Sequence, residues 1–148
     1  MNVSAWFLRG KSKEIARIEW KYDGLERVSK LLELEYSGNE LKRRLIDAEL
    51  KADLIDGYEA DLRLANIDYT GDELVKKLLD IEMKHNKITE IQYNKERATL
   101  NNEAWVHMVT FEIDKNNPTA GVQVELDWNQ KFIDDLIRAG YTGGSELS

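Results

Sequence analysis

Tyr36-Ser37-Gly38-Asn39-Glu40-Leu41 and Tyr69-Thr70-Gly71-Asp72-Glu73-Leu74 are two versions of one hexapeptide, set 33 residues apart. Continued to Gly57 and Glu90, the alignment holds nine identities in twenty-two pairs. Each opening reads as a helix start. Ser37 and Thr70 stand at the N-cap, and Glu40 and Glu73 lie three residues on, the spacing of a capping box. Tyr36 with Leu41, and Tyr69 with Leu74, are placed to close as hydrophobic staples. Two long helices are therefore expected to begin near residues 38 and 71.

Their apolar positions step by four and three: Leu41, Leu45, Ala48, Ala52 and Ile55 in the first, Leu74, Leu78, Ile81, His85 and Ile88 in the second. This spacing makes a narrow stripe suited to antiparallel packing. A second signal recurs at the same period. Asp23, Asp56 and Thr89 each precede Glu or Gln by three residues and should start a returning helix. The unit is a helical hairpin, with two and a half to three copies within residues 12–102. The first copy is degenerate and runs through Ile15, Ile18 and Trp20 into Leu25, Val28 and Leu32.

From residue 104 the period changes to two. Trp105, His107, Val109, Phe111 and Ile113 alternate with Val106, Met108, Thr110 and Glu112. Val122, Val124, Leu126 and Trp128 alternate with Gln123, Glu125 and Asp127. Both runs read as strands with one apolar face. The polar loop 114–121 between them carries the chain's one proline, Pro118. A lone hairpin is marginal in water, so its apolar face must cover the helical part or a partner chain. A last helix follows, capped by Asp127 with Gln130, faced by Phe132, Ile133, Leu136 and Ile137, and ended by Gly140. Tyr141-Thr142-Gly143-Gly144-Ser145-Glu146-Leu147 echoes the two helix openings with one residue inserted. The expected fold class is α+β: repeated antiparallel helical hairpins of period 33, then a β-hairpin and a C-terminal helix. The expected divisions are an N-terminal segment 1–11, the repeat region 12–102, and the hairpin with its helix, 103–148.

Composition narrows the chemistry. The chain has 148 residues, no cysteine, two histidines and a formal net charge of −7. The missing cysteines exclude disulfides, zinc fingers, iron–sulfur clusters and thiol catalysis. The acidic balance argues against direct nucleic-acid binding, which needs positive surface for phosphates. No apolar run approaches the ~20 residues of a membrane span. His85 and His107 lie far apart without a third ligand, and both read as packed side chains. There is no nucleophile motif, phosphate-cradling glycine loop or ordered triad. No catalytic residue, metal or cofactor is expected.

Residues 23–72 hold seven bases and thirteen acids, a balance of −6. Their acidic faces read either as solvated helix surface or as a mimic of a phosphate backbone. Trp6, Phe7 and Leu8 precede Arg9, Lys11 and Lys13. They read either as an anchor for a partner or membrane surface, or as a segment folding back on its own core.

Residues 78–100 resemble the short helical hairpin known as the SHOCT domain. The shared features are an apolar helix, the Lys87-Ile88-Thr89-Glu90 turn, and Tyr93 followed by Lys95 and Arg97. The resemblance implies an oligomerisation or docking element. A wider stretch, roughly residues 70–143, looks like proteins encoded by tailed bacteriophages. It rests on Leu79-Asp80-Ile81-Glu82, Ile88-Thr89, Tyr93, Glu125-Leu126-Asp127-Trp128-Asn129, Phe132 and Ala139-Gly140-Tyr141-Thr142-Gly143. This likeness implies a phage source, with host cytoplasm or virion as the location, and no particular activity. The expected role is a non-enzymatic protein–protein interaction protein, a virion component or assembly factor. Its partners would be phage structural proteins, a host protein or further copies of itself. Trp6, Phe7, Trp105, Trp128 and Tyr141 are the expected partner-binding aromatics. The alternative is an acidic inhibitor of a host nucleic-acid-binding or defence protein.

Overall fold

The helix-forming and strand-forming periods separate along the chain, and the elements follow them. A computed structural model describes residues 3–141, with side chains from residue 10 onward. Six helices come first: α1 (Val3–Lys21), α2 (Gly24–Glu35), α3 (Gly38–Lys51), α4 (Gly57–Asp68), α5 (Gly71–Lys84) and α6 (Glu90–Leu100). Strands β1 (Val106–Ile113) and β2 (Val122–Trp128) follow, and α7 (Gln130–Arg138) closes the described chain. The fold is α+β. The helix-opening echo from Thr142 onward lies outside the described residues.

Two compact units divide at Leu74/Val75. The sequence expects boundaries after residues 11 and 102 instead. α1 crosses residue 11 without a break. Residues 75–102 belong with the hairpin because α6 is bonded to it, as described below.

In the first unit each helix packs on its sequence neighbour. Arg43 of α3 pairs with Asp68 of α4, and Arg63 of α4 reaches Glu49 of α3 at 2.6 Å. Arg27 of α2 donates to the backbone carbonyls of Tyr22 and Glu19, tying α2 to the end of α1. Ile18, Ile46, Ala60 and Ala65 are buried here. In the second unit Asp80 of α5 accepts from Tyr93 Oη at 2.7 Å and from Arg97 at 2.9 Å, both on α6. By accepting a hydrogen bond from the protonated phenol, the Asp80 carboxylate holds Tyr93 above the usual tyrosine range. Leu79, Ile81 and Ala98 are buried here.

The expected stripes hold in part: Ile81 is buried and Leu41, Leu45, Leu74 and Leu78 are half-buried, but neighbouring positions are buried more deeply. Ile46 and Leu79, 33 residues apart, are buried, whereas Ala52 is exposed and His85 half-buried. Trp20, expected among the apolar positions of the first hairpin, is 89% exposed.

Helix entry also departs from expectation. Ser37 makes no side-chain cap bond, and Glu40 turns to Arg44 at 3.1 Å instead. Gly38 enters the helix at φ +60°, which takes the Ser37 hydroxyl away from the N3 amide it would cap. Asp23, followed by Gly24 at φ +55°, also makes no side-chain cap bond, and its carboxylate pairs with Arg27. Gly71 repeats the +60° entry, and Leu74 N bonds Thr70 O at the same 3.4 Å as Leu41 N to Ser37 O. The full capping box forms at Thr89 with Gln92, and Asp56 caps the amide of Glu59.

Four helix exits, those of α3, α5, α6 and α7, share one device, while α2 and α4 end in the extended residues Tyr36 and Tyr69. After α3, the amide of Asp53 bonds Leu50 O and that of Leu54 bonds Glu49 O, with Asp53 at φ +57°. This pair of bonds around a left-handed residue is the Schellman motif. Asn86, Asn102 and Gly140 repeat it after α5, α6 and α7.

These bonds set a testable contrast. Ser37→Ala should leave the unfolding free energy, read by urea denaturation, unchanged within about 0.5 kcal/mol, because no side-chain cap bond is lost. Thr89→Ala and Asp56→Ala should each cost about 1 kcal/mol. Equal costs at all three positions would contradict the cap geometry.

Candidate interaction surface

Strand pairing in β1–β2 is antiparallel, and Val109 interrupts it. Met108 stands opposite Leu126 and Thr110 opposite Glu125, so Val109 is an unpaired extra residue, a β-bulge. One extra residue reverses the side to which every later residue points. The expected apolar series of β1, running from Trp105 through Val109 to Ile113, is therefore not one face.

The face that forms is more apolar than the alternation suggests. Val106 faces Trp128, Met108 faces Leu126, Phe111 faces Val124 and Ile113 faces Val122. Directly paired residues share a side of the sheet, so these eight side chains stand together. The other side takes His107 with Asp127, Thr110 with Glu125, and Glu112 with Gln123. The eight apolar residues are between 41% and 56% exposed. Within its own unit the face is left about half exposed, so the helices of that unit do not cover it.

The polar side meets α6 at the base of the hairpin. Lys95 donates to Asp127 at 2.7 Å and lies over the Trp105 ring at 5.8 Å, and that ring stacks on His107. Lys95 holds the Asp127 carboxyl below the usual aspartate range. Asp127 is thus not the cap of α7, as expected from its spacing to Gln130. Asn129 takes that role.

Asn129 is 4% exposed and is the one buried polar side chain among the described residues. Its Oδ1 accepts from Trp105 N at 2.9 Å and from Phe132 N at 3.1 Å. Its Nδ2 donates to Glu103 O at 2.8 Å and to Thr99 Oγ1 at 3.2 Å. Its own amide donates to Trp105 O. One side chain thereby joins the end of α6, the foot of β1 and the start of α7. A buried amide costs several kcal/mol unless each donor and acceptor is met, and here all are met.

Of the aromatics expected to bind partners, Trp128 lies on the apolar face. Trp105 does not: it is half-buried on the polar side under Lys95. Tyr141 is 68% exposed beyond α7. The side chains of Trp6 and Phe7 lie outside the described residues. Val106, Met108, Phe111, Ile113, Val122, Val124 and Leu126 complete the face; the alternation places five of these on an apolar strand face without marking them as partner-binding, and sets Val106 and Met108 on the other side, which only the bulge brings round.

Among the described residues no three His, Asp or Glu side chains cluster closely enough to hold a metal ion. No described helix is long and apolar enough to cross a membrane. No protein-family model, curated protein or solved structure matches the chain.

Two outcomes follow from this junction. Asn129→Ala should lower unfolding stability by about 2–4 kcal/mol, since it strands buried backbone groups, while the exposed Asn94→Ala should change it by less than about 0.5 kcal/mol. Lys95→Met should raise the Asp127 pKa, read from its side-chain carboxyl carbon by NMR titration. A depressed carboxylate pKa stabilises the fold above the unfolded value, and that contribution fades as pH falls through the folded one. Lys95→Met should therefore lose stability at neutral pH and flatten the acid limb below about pH 4.

Proposed function

We propose that this is a non-enzymatic protein–protein interaction protein and that the apolar face of the β-hairpin is its contact surface. The observation that carries the reading is the eight-residue face left open to solvent, with charges confined to the opposite side. Contiguous exposed apolar area of this kind marks interaction sites in soluble proteins. Trp128 and Phe111 supply the aromatic area that dominates binding energy at such sites. The bonds of Asn129 hold the foot of the hairpin, so the face is presented on a fixed base.

The likeness of residues 70–143 to tailed-phage proteins gives the reading its setting, a virion component or an assembly factor. The inhibitor reading draws on the acids of residues 23–72. Asp23, Glu40, Asp47, Glu49, Glu59 and Asp68 are each paired with an Arg or Lys of the same unit, which weakens a phosphate-like field.

Affinity capture of the tagged protein from its native cells, with mass spectrometry, tests the reading. Wild type should retain a stoichiometric partner, a phage structural protein in the assembly version, and Phe111→Glu should lose it. Retention of every partner by Phe111→Glu would overturn the assignment of the surface.

A further inference from the structure

We infer that the face's occupant is a second copy of this chain, two hairpins packing face to face about a two-fold axis. The inference rests on the reading of the hairpin as a contact surface and goes further by naming what covers it.

Four features select a like partner. First, a two-stranded hairpin is marginal alone, and a second layer of strands is the smallest addition that gives it a core. Two such sheets stack about 10 Å apart, with side chains of the inner faces interdigitating. Second, the area is sufficient. Roughly half of each of eight large side chains, on the order of 600 Å² per protomer, gives a total near 1,200 Å², at the lower end of stable specific interfaces.

Third, the charges favour this pairing over others. The chain carries −7, so two copies repel except where they meet without charge. The apolar face has none, while Glu112, Glu125 and Asp127 all lie on the other side and would face outward. Fourth, edge-to-edge addition is disfavoured along β1, because the Val109 bulge breaks the ladder a new strand would extend. Stacking uses the face and leaves the edges alone. It is isologous, so the same patch serves both protomers and the assembly closes at two.

The absence of cysteine gives a clean test. Sedimentation equilibrium at about 100 µM should give twice the 17.2 kDa chain mass for wild type. Phe111→Glu and Val124→Lys should each weaken self-association at least ~100-fold, since each buries an unpaired charge. Val124→Cys, under mild oxidation, should cross-link to a covalent dimer, whereas Gln123→Cys on the opposite side should not. The cysteine pair keeps the test decisive should a charged variant fail to fold. Monomeric wild type at this concentration, or equal cross-linking from both cysteines, would overturn the dimer. A monomer whose captured partner is still lost with Phe111→Glu would sink the dimer alone and leave the contact surface standing.

Discussion

Val109 is one residue more than the antiparallel ladder can pair, and the sidedness of the hairpin follows from that surplus. Were Val109 paired like its neighbours, Val106 and Met108 would share a side with Thr110 and Glu112, and the apolar residues of β1 would be divided between the two sides. With it, the first half of β1 is turned over relative to the second, and Val106 and Met108 join Phe111 and Ile113. β2 needs no such correction, since Val122, Val124, Leu126 and Trp128 already alternate strictly. A bulge costs ladder bonds and bends its strand. Here it unites two apolar half-faces into one.

The same hairpin would swing freely if its foot were held only by the chain. Asn129 prevents this by meeting five polar partners from three elements. Asp127 sits two residues earlier and is as good an N-cap residue as Asn, yet it points to the opposite side of β2 from Trp128, where it meets Lys95. Strand alternation therefore decides which residue caps α7. While the chain is extended Asp127 belongs to a sheet side, and only after Trp128 does the backbone turn so that a side chain can fold back on the helix amides. The carboxylate gains a cation and the neutral amide takes the buried site. Placed the other way, a buried carboxylate could not donate to Glu103 O or Thr99.

Much of the fold was legible because it rests on local rules. The helix starts at Thr89 and Asp56, the switch from helical to strand period after residue 104, the turn around Pro118 and the stop at Gly140 all follow from residues within a few positions of one another. Three features did not follow, each for a physical reason. Ser37 looks like a cap, but a glycine next to it opens a left-handed entry that side-chain chemistry cannot reveal. Ile46 and Leu79 are buried one position from where the chosen stripe ran, since a 3.6-residue period leaves two neighbouring registers nearly equal. The bulge is invisible because a single extra residue is defined only by its partner strand. Of the surface, Trp128 was legible as an aromatic anchor. Trp105 was not separable from it, because the two differ only in the side of the sheet that the pairing gives them.

Exposed apolar sheet faces are a hazard in a crowded solution, and the chain shows how the hazard is contained. In the loop at the tip the Asp114 carboxylate accepts from the backbone amides of Asn116 and Asn117, and Thr119 Oγ1 donates to Asn117 Oδ1. The far side of the sheet carries Glu112, Glu125 and Asp127, so a misaligned neighbour meets negative charge. One edge is broken by the bulge. The apolar side of the sheet itself carries no charge, and its register is fixed by the strand pairing. The helices contribute the opposite character, with side-chain ion pairs on exposed faces and buried positions filled by Ile, Leu and Ala. The helices of each unit bury Ile, Leu and Ala against one another, whereas the eight paired apolar side chains of the hairpin stay about half exposed, and it is on this uncovered area that the proposed contact rests.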